Sequence, residues 1–160
     1  MGAPSGILII GYGNTLRGDD GVGPRVAEAV ERLQWPGVRT LVGQQLSPEY
    51  ADPISRAATV VFVDAALDAP AEVQLRPLAP NDSSQLMAHA ADPRTMLALA
   101  RDVFGHAPEA WWLTEPVVNL EFTEVLSPTA QRGLKIALAK LRDICRAKAA
   151  TEQTTPPTGH

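Results

Sequence analysis

The stretch that decides the fold is GYGNTLRGDDGVG, residues 11–23, which directly follows the apolar run Ile7-Leu8-Ile9-Ile10. Four apolar residues between Gly6 and Gly11 read as a strand covered on both faces, the kind buried in a parallel sheet. Over residues 21–33 the period changes. Val22, Val26, Val30 and Leu33 fall on one stripe, with Arg25, Glu28, Glu31 and Arg32 on the wet side, which predicts a helix. A glycine-rich loop between a strand and a helix is ordinarily a phosphate cradle. This one carries two adjacent acids, Asp19 and Asp20, which a phosphate would repel.

The remaining chain continues the alternation. Trp35-Pro36-Gly37 stops the first helix, and residues 38–42 form a second strand. Ser47-Pro48-Glu49 starts a short helix, with the serine as cap, and Pro53 kinks or restarts it. TVVFVDA, residues 59–65, is the most β-branched strand and ends at Asp64. Residues 72–77 alternate polar with apolar and predict a half-exposed strand, antiparallel at an edge. Residues 78–91 show no period and predict a long loop. Asp92-Pro93 opens a helix that Gly105 ends, AWWLT at 110–114 makes a fifth strand, and Ser127-Pro128 begins the last helix. The expected architecture is three-layer α/β/α, with about five mostly parallel strands and helices on both faces. Residues 1–146 form its single domain, and 147–160 are expected to be a disordered tail.

Composition narrows the function. The formal charge of −4 argues against a nucleic-acid or membrane-surface partner, both of which need a basic field. A single cysteine, Cys145, excludes an internal disulfide; at an apolar helix spacing it reads as a small buried hydrophobe. No apolar run has the length of a membrane span and the start MGAPSG lacks signal-peptide features, so the expectation is a cytoplasmic protein.

A dinucleotide fingerprint would need a third glycine at position 16, where Leu16 stands, and no Gly-Lys-Ser/Thr triplet is present for a P-loop. In α/β sheets, polar residues just past the strand ends converge where the strand order reverses. Asp19 and Asp20 after the first strand and Asp64 at the end of the third have that address, and three acids together suit a cation. The alternative for the acids is structural: Asp19 or Asp20 caps the following helix, and Asp64 caps a turn. Among the three histidines, His160 is terminal and His106 follows a helix end. His89 lies in the long loop, free to reach the crevice or simply solvated.

These pieces together resemble the hydrogenase maturation proteases. The resemblance rests on GYGNTLRGDDGVGPRVAEAV, then QQLSPEYADPISRAATVVFVDA, HAADPRTMLALARDVFGHAP and LSPTAQRGL, in the family's order, over about residues 6–145. It implies an endopeptidase that trims the C-terminal extension of a [NiFe]-hydrogenase large-subunit precursor, its partner. It also implies a metal-binding and catalytic trio of Asp20, Asp64 and His89, with the nickel supplied by the precursor rather than permanently bound. Asn14 would offer a polar contact, and the backbone at Gly11, Gly13 and Gly18 would let a peptide approach closely. In this reading Asp19 shapes the turn or caps the helix while Asp20 faces the crevice. The competing readings are a noncatalytic metal-sensing or chaperone-like module that binds the same precursor, and a nucleotide-binding α/β protein.

Overall fold

The computed structural model describes residues 2–67, 72–82 and 92–154. Its sheet has the order β2-β1-β3-β5-β4, formed by β1 (Ile7–Tyr12), β2 (Val38–Gly43), β3 (Thr59–Ala66), β4 (Gln74–Leu78) and β5 (Glu109–Pro116). Strands β2, β1, β3 and β5 are parallel, and β4 pairs antiparallel with β5 at the edge. Pro77 lies in β4, opposite Trp111, where an edge strand tolerates the missing N–H. The helices are α1 (Val22–Leu33), α2 (Ala51–Ser55), α3 (Pro93–Phe104) and α4 (Pro128–Thr154).

Strand alternation divides the core in two. On β1, Ile7 and Ile9 face α1 and α4, where Val26, Val30 and Leu141 meet them. Leu8 and Ile10 face the other way, onto Ile54 of α2 and Met96 and Leu97 of α3. The continuous apolar run is thus two interleaved faces, each buried under its own helix pair. The adjacent tryptophans of β5 follow the same rule: Trp111 packs with the α1/α4 core and Trp112 with the α2/α3 core. Cys145 joins the α1/α4 core half-buried, and burial pushes its thiol up to about 11, so it behaves as an inert apolar group.

Some local expectations are corrected. Asp92 does cap α3, accepting from the Arg94 N–H at 2.9 Å, and Gly105 ends that helix at φ 83°. Ser47 makes no side-chain cap; a 3-10 turn at Pro48–Tyr50 runs straight into α2 and closes the N-terminus with its own backbone. The expected boundary at residue 146 is no break, because α4 continues to Thr154 through Ala147, Lys148, Ala149 and Ala150, all strong helix formers. Residues 155–160 lie outside the described part.

Glu115 was not anticipated. It occupies β5 on the α1/α4 face, is 0 % exposed, and neither carboxyl oxygen has a partner among the described residues. Room for it exists because Gly133 of α4 lies above: a Cβ there would come within 2.8 Å of Glu115 Oε2. Burial, followed by the nearby charge of Asp19, pushes this carboxyl up to about 8. The unfolded chain releases the proton near 4.5 while the folded chain keeps it, so stability falls as pH rises from 4.5 toward 8. Glu115→Gln removes this loss. In urea titrations the variant is expected to be more stable than wild type at pH 8, by on the order of a few kcal/mol, with the gap closing toward pH 4.5.

Candidate active site

Reversal of strand order places the crevice between β1 and β3. The chain leaves β1 for β2 on one side and returns to β3 on the other, so the loops after the two strands diverge and leave a gap at their carboxyl ends. Asp20 follows β1 and Asp64 lies two residues before the end of β3, and both are half-buried at that gap. Their proximity is electrostatic as well as topological. Burial pushes the Asp64 carboxyl up to about 6, the Tyr12 hydroxyl opposes the rise, and the charge of Asp20 adds to it. A pair of carboxylates that repel each other in a partly dry crevice is suited to a cation or to a shared proton.

Oδ2 of each acid accepts a hydrogen bond, and the Ala65 backbone adds a second to Asp64. The Asn14 backbone N–H donates to Asp20 Oδ2 at 2.8 Å, and the Tyr12 hydroxyl donates to Asp64 Oδ2 at 3.0 Å. Tyr12 ends β1 on the α2/α3 face with Asp64, and burial together with the Asp64 charge holds its phenol well above 10. Thr114, the parallel-register partner of Asp64 on β5, is 2 % exposed and its hydroxyl has no partner among the described residues.

The two adjacent acids have separate jobs, and neither caps α1, whose N-cap Gly21 receives no side-chain bond. Asp19 is 0 % exposed and turns away from the crevice. Its Oδ1 accepts from the Ser127 N–H at 2.8 Å, and its Oδ2 accepts from Val118 N–H at 3.0 Å, Asn119 N–H at 3.1 Å and Ser127 Oγ at 2.7 Å. Burial alone would raise its carboxyl, but these donors outweigh burial and hold it below the ordinary aspartate value. Ser127 in turn accepts from the Ala130 N–H, so Asp19 fastens the loop after β5 and the start of α4 to the loop after β1.

The glycines and Asn14 serve the loop itself. A Cβ on Gly13, at φ 149°, would fall 2.0 Å from the Asp20 carbonyl oxygen, and one on Gly11 would fall 2.1 Å from that of Gly23. At Gly18 the clash would be with Asn119 O at 2.6 Å. These positions are closed by protein rather than open to a peptide, which corrects the expectation drawn for them. Asn14 Oδ1 accepts from the Leu16 N–H at 2.9 Å, the local turn bond typical of asparagine.

His89 lies outside the described residues. His106 points Nε2 at Ala57 O, 3.3 Å away and on the far side of α3 from the acids in sequence. Among the described residues no group of three or more His, Cys, Asp and Glu side chains converges as a metal would need, so Asp20 and Asp64 stand as a pair. No described helix is long and apolar enough to cross a membrane.

No protein-family model and no curated protein matches this chain. Solved structures do. The hydrogenase maturating endopeptidase HybD from E. coli superposes with a TM-score of 0.69 at 23 % identity, over 89 % of this chain and 93 % of that one. The fold is that of the hydrogenase maturation endopeptidases. The [NiFe] hydrogenase maturation protease HycI from Thermococcus kodakarensis KOD1 gives a TM-score of 0.67 at 20 % identity, over 89 % and 93 % of the two chains. A hydrogenase 2 maturation peptidase from Thaumarchaeota archaeon SCGC_AB-539-E09 gives 0.65 at 22 %, over 87 % and 97 %. The endopeptidase fold therefore spans nearly the whole of both partners in each comparison, with the Asp20 and Asp64 crevice at its switch point.

Two outcomes test this geometry. The Asp64 carboxyl carbon, followed by NMR in the isolated protein, is expected to titrate near 6, and Asp20→Asn is expected to lower that midpoint by removing the like charge. Asp19→Ala leaves the part-buried N–H donors of Val118, Asn119 and Ser127 without their acceptor, and a stability loss of about 2–3 kcal/mol is expected in urea unfolding.

Proposed function

We propose that this chain is an endopeptidase that removes the C-terminal extension of a nickel-loaded [NiFe]-hydrogenase large-subunit precursor. The observation that carries the reading is the Asp20 and Asp64 pair, close enough to couple electrostatically, at the switch point of a fold shared with hydrogenase maturation endopeptidases. In this reading Asp20, Asp64 and His89 engage the nickel already installed in the precursor. Two carboxylates and one imidazole leave the metal open positions for its ligands in the substrate.

His89, three residues before Asp92 in the sequence, enters this reading as the nitrogen donor that the family resemblance implies. The loop after β5, which Asp19 fastens to the loop after β1, supports a macromolecular substrate. Its Phe122 is 85 % exposed and its Val118 and Val125 nearly as open, although its backbone is pinned.

The scissile peptide lies near the recognised metal in this scheme. Until the precursor's metal arrives, burial and the charge of Asp20 raise the Asp64 carboxyl to about 6, so the empty crevice favours a cation beside it. Asp20, its Oδ2 held by the Asn14 N–H, offers the cationic centre a second oxygen ligand.

The test is to incubate the protein with nickel-loaded and nickel-free precursor and follow the precursor's mass. Loss of a C-terminal peptide from the loaded form alone is the expected result; stable binding with the precursor left intact would establish the noncatalytic module instead. Asp20→Ala, Asp64→Ala and His89→Ala should each cut processing by at least about 100-fold with the circular-dichroism spectrum unchanged.

A further inference from the structure

The two acids of the crevice are restrained by different means. Asp20 is held by a backbone N–H, which any residue at position 14 but proline would supply. Asp64 is held by a side chain, the Tyr12 hydroxyl, in addition to the backbone of its neighbour Ala65. Every other position of β1 from Ile7 to Gly11 is aliphatic or glycine, and Tyr12 itself is only 8 % exposed, packed in the core with Leu46 and Phe62. A buried hydroxyl costs stability unless it is bonded, so an apolar residue of similar size would satisfy packing without it. The hydroxyl spends its bond on the functional carboxylate, 3.0 Å away and 52 residues distant in sequence.

A carboxylate can meet a metal through one oxygen or through both, and small ions of strict geometry take one where larger, more flexible ions accept two. With Oδ2 engaged by the Tyr12 hydroxyl, Oδ1 is the oxygen of Asp64 without a side-chain donor, and rotation of the carboxylate that would exchange the two oxygens breaks the bond to Tyr12. Resting on the functional reading above, we propose that Tyr12 is a positioning residue that makes Asp64 present a single oxygen to the metal centre of the precursor. Such an arrangement favours a small ion such as nickel over a larger one and sets the direction from which the precursor docks.

The test compares wild type with Tyr12→Phe, which keeps the ring and removes only the donor. Calorimetric titration of the isolated full chain with Ni2+ alone and with Cd2+ alone should show nickel affinity falling about 10–100-fold in the variant, while affinity for the larger Cd2+ falls much less. On nickel-loaded precursor, KM should rise by a similar factor with kcat changing less. Thermal unfolding and circular dichroism report separately whether the fold is intact, and Tyr12→Leu, which also lacks the donor, should reproduce the loss of nickel selectivity. Equal losses for both ions, unchanged nickel affinity, or a wild-type chain that takes up neither ion would each overturn the proposal. If wild type binds nickel but leaves the precursor uncut, the peptidase reading fails while the metal comparison still decides the role of Tyr12. If wild type cuts the precursor and Tyr12→Phe matches it in KM and in nickel affinity, the reading stands and the proposal falls.

Discussion

Four hydrogen bonds to one buried carboxylate hold the business end of this molecule together. Asp19 gathers Val118, Asn119 and Ser127, residues about a hundred positions away, and is fully enclosed by them. Those donors make it favourable to bury the charge, and the charge makes it favourable to order a long connection that contains little regular structure. Further bonds between Gly18 and Thr123 and between Thr123 and Leu16 continue the same seam. The loop after β1 is consequently rigid from its far side, which leaves Asp20 able to face the crevice.

Energetic cost is concentrated at the carboxyl ends of the strands. Asp64 is pushed up by burial and by Asp20, Glu115 by burial and by Asp19, and Thr114 keeps a buried hydroxyl without a described partner. The opposite ends of the same strands carry Ile7, Val60 and Ala110, which pack without such penalties. Proteins tolerate unsatisfied and mutually repelling groups where the surrounding core can hold them, and they do so most often where chemistry or binding takes place. Here the two interleaved halves of the core supply that support on both faces of the sheet.

The elements were legible in the sequence wherever a period was strong. The run ending at Ile10, the stripe of α1, the Asp92-Pro93 start and the Gly105 stop all correspond to observed elements, because each is set by short-range sterics and by which face is apolar. The edge position of β4 followed from its alternation. Less legible were roles that depend on contacts far apart in the chain. Asp19 has the local appearance of a helix cap, yet its donors come from the loop before α4, and the glycines that resemble a cradle are filled by backbone of their own loop, of α1 and of the loop after β5. Glu115 lies just past the strand expected at 110–114, and nothing in its sequence neighbours announces that Gly133 will close over it.

By itself, then, the sequence determined the strand and helix order, the three-layer class, and the pair of acids placed just past two strand ends, all of which follow from periodicity and from the geometry of parallel sheets. The sequence reading makes Asp19 the structural acid and Asp20 the crevice acid; only the tertiary structure decided that Asp19 binds the loop after β5 and the start of α4 rather than the N-terminus of α1. Side chains of successive residues in a tight turn point in different directions, and the available partners are fixed by packing rather than by local spacing. The same applies to Tyr12, whose hydroxyl acquires a purpose only when β3 brings Asp64 beside it.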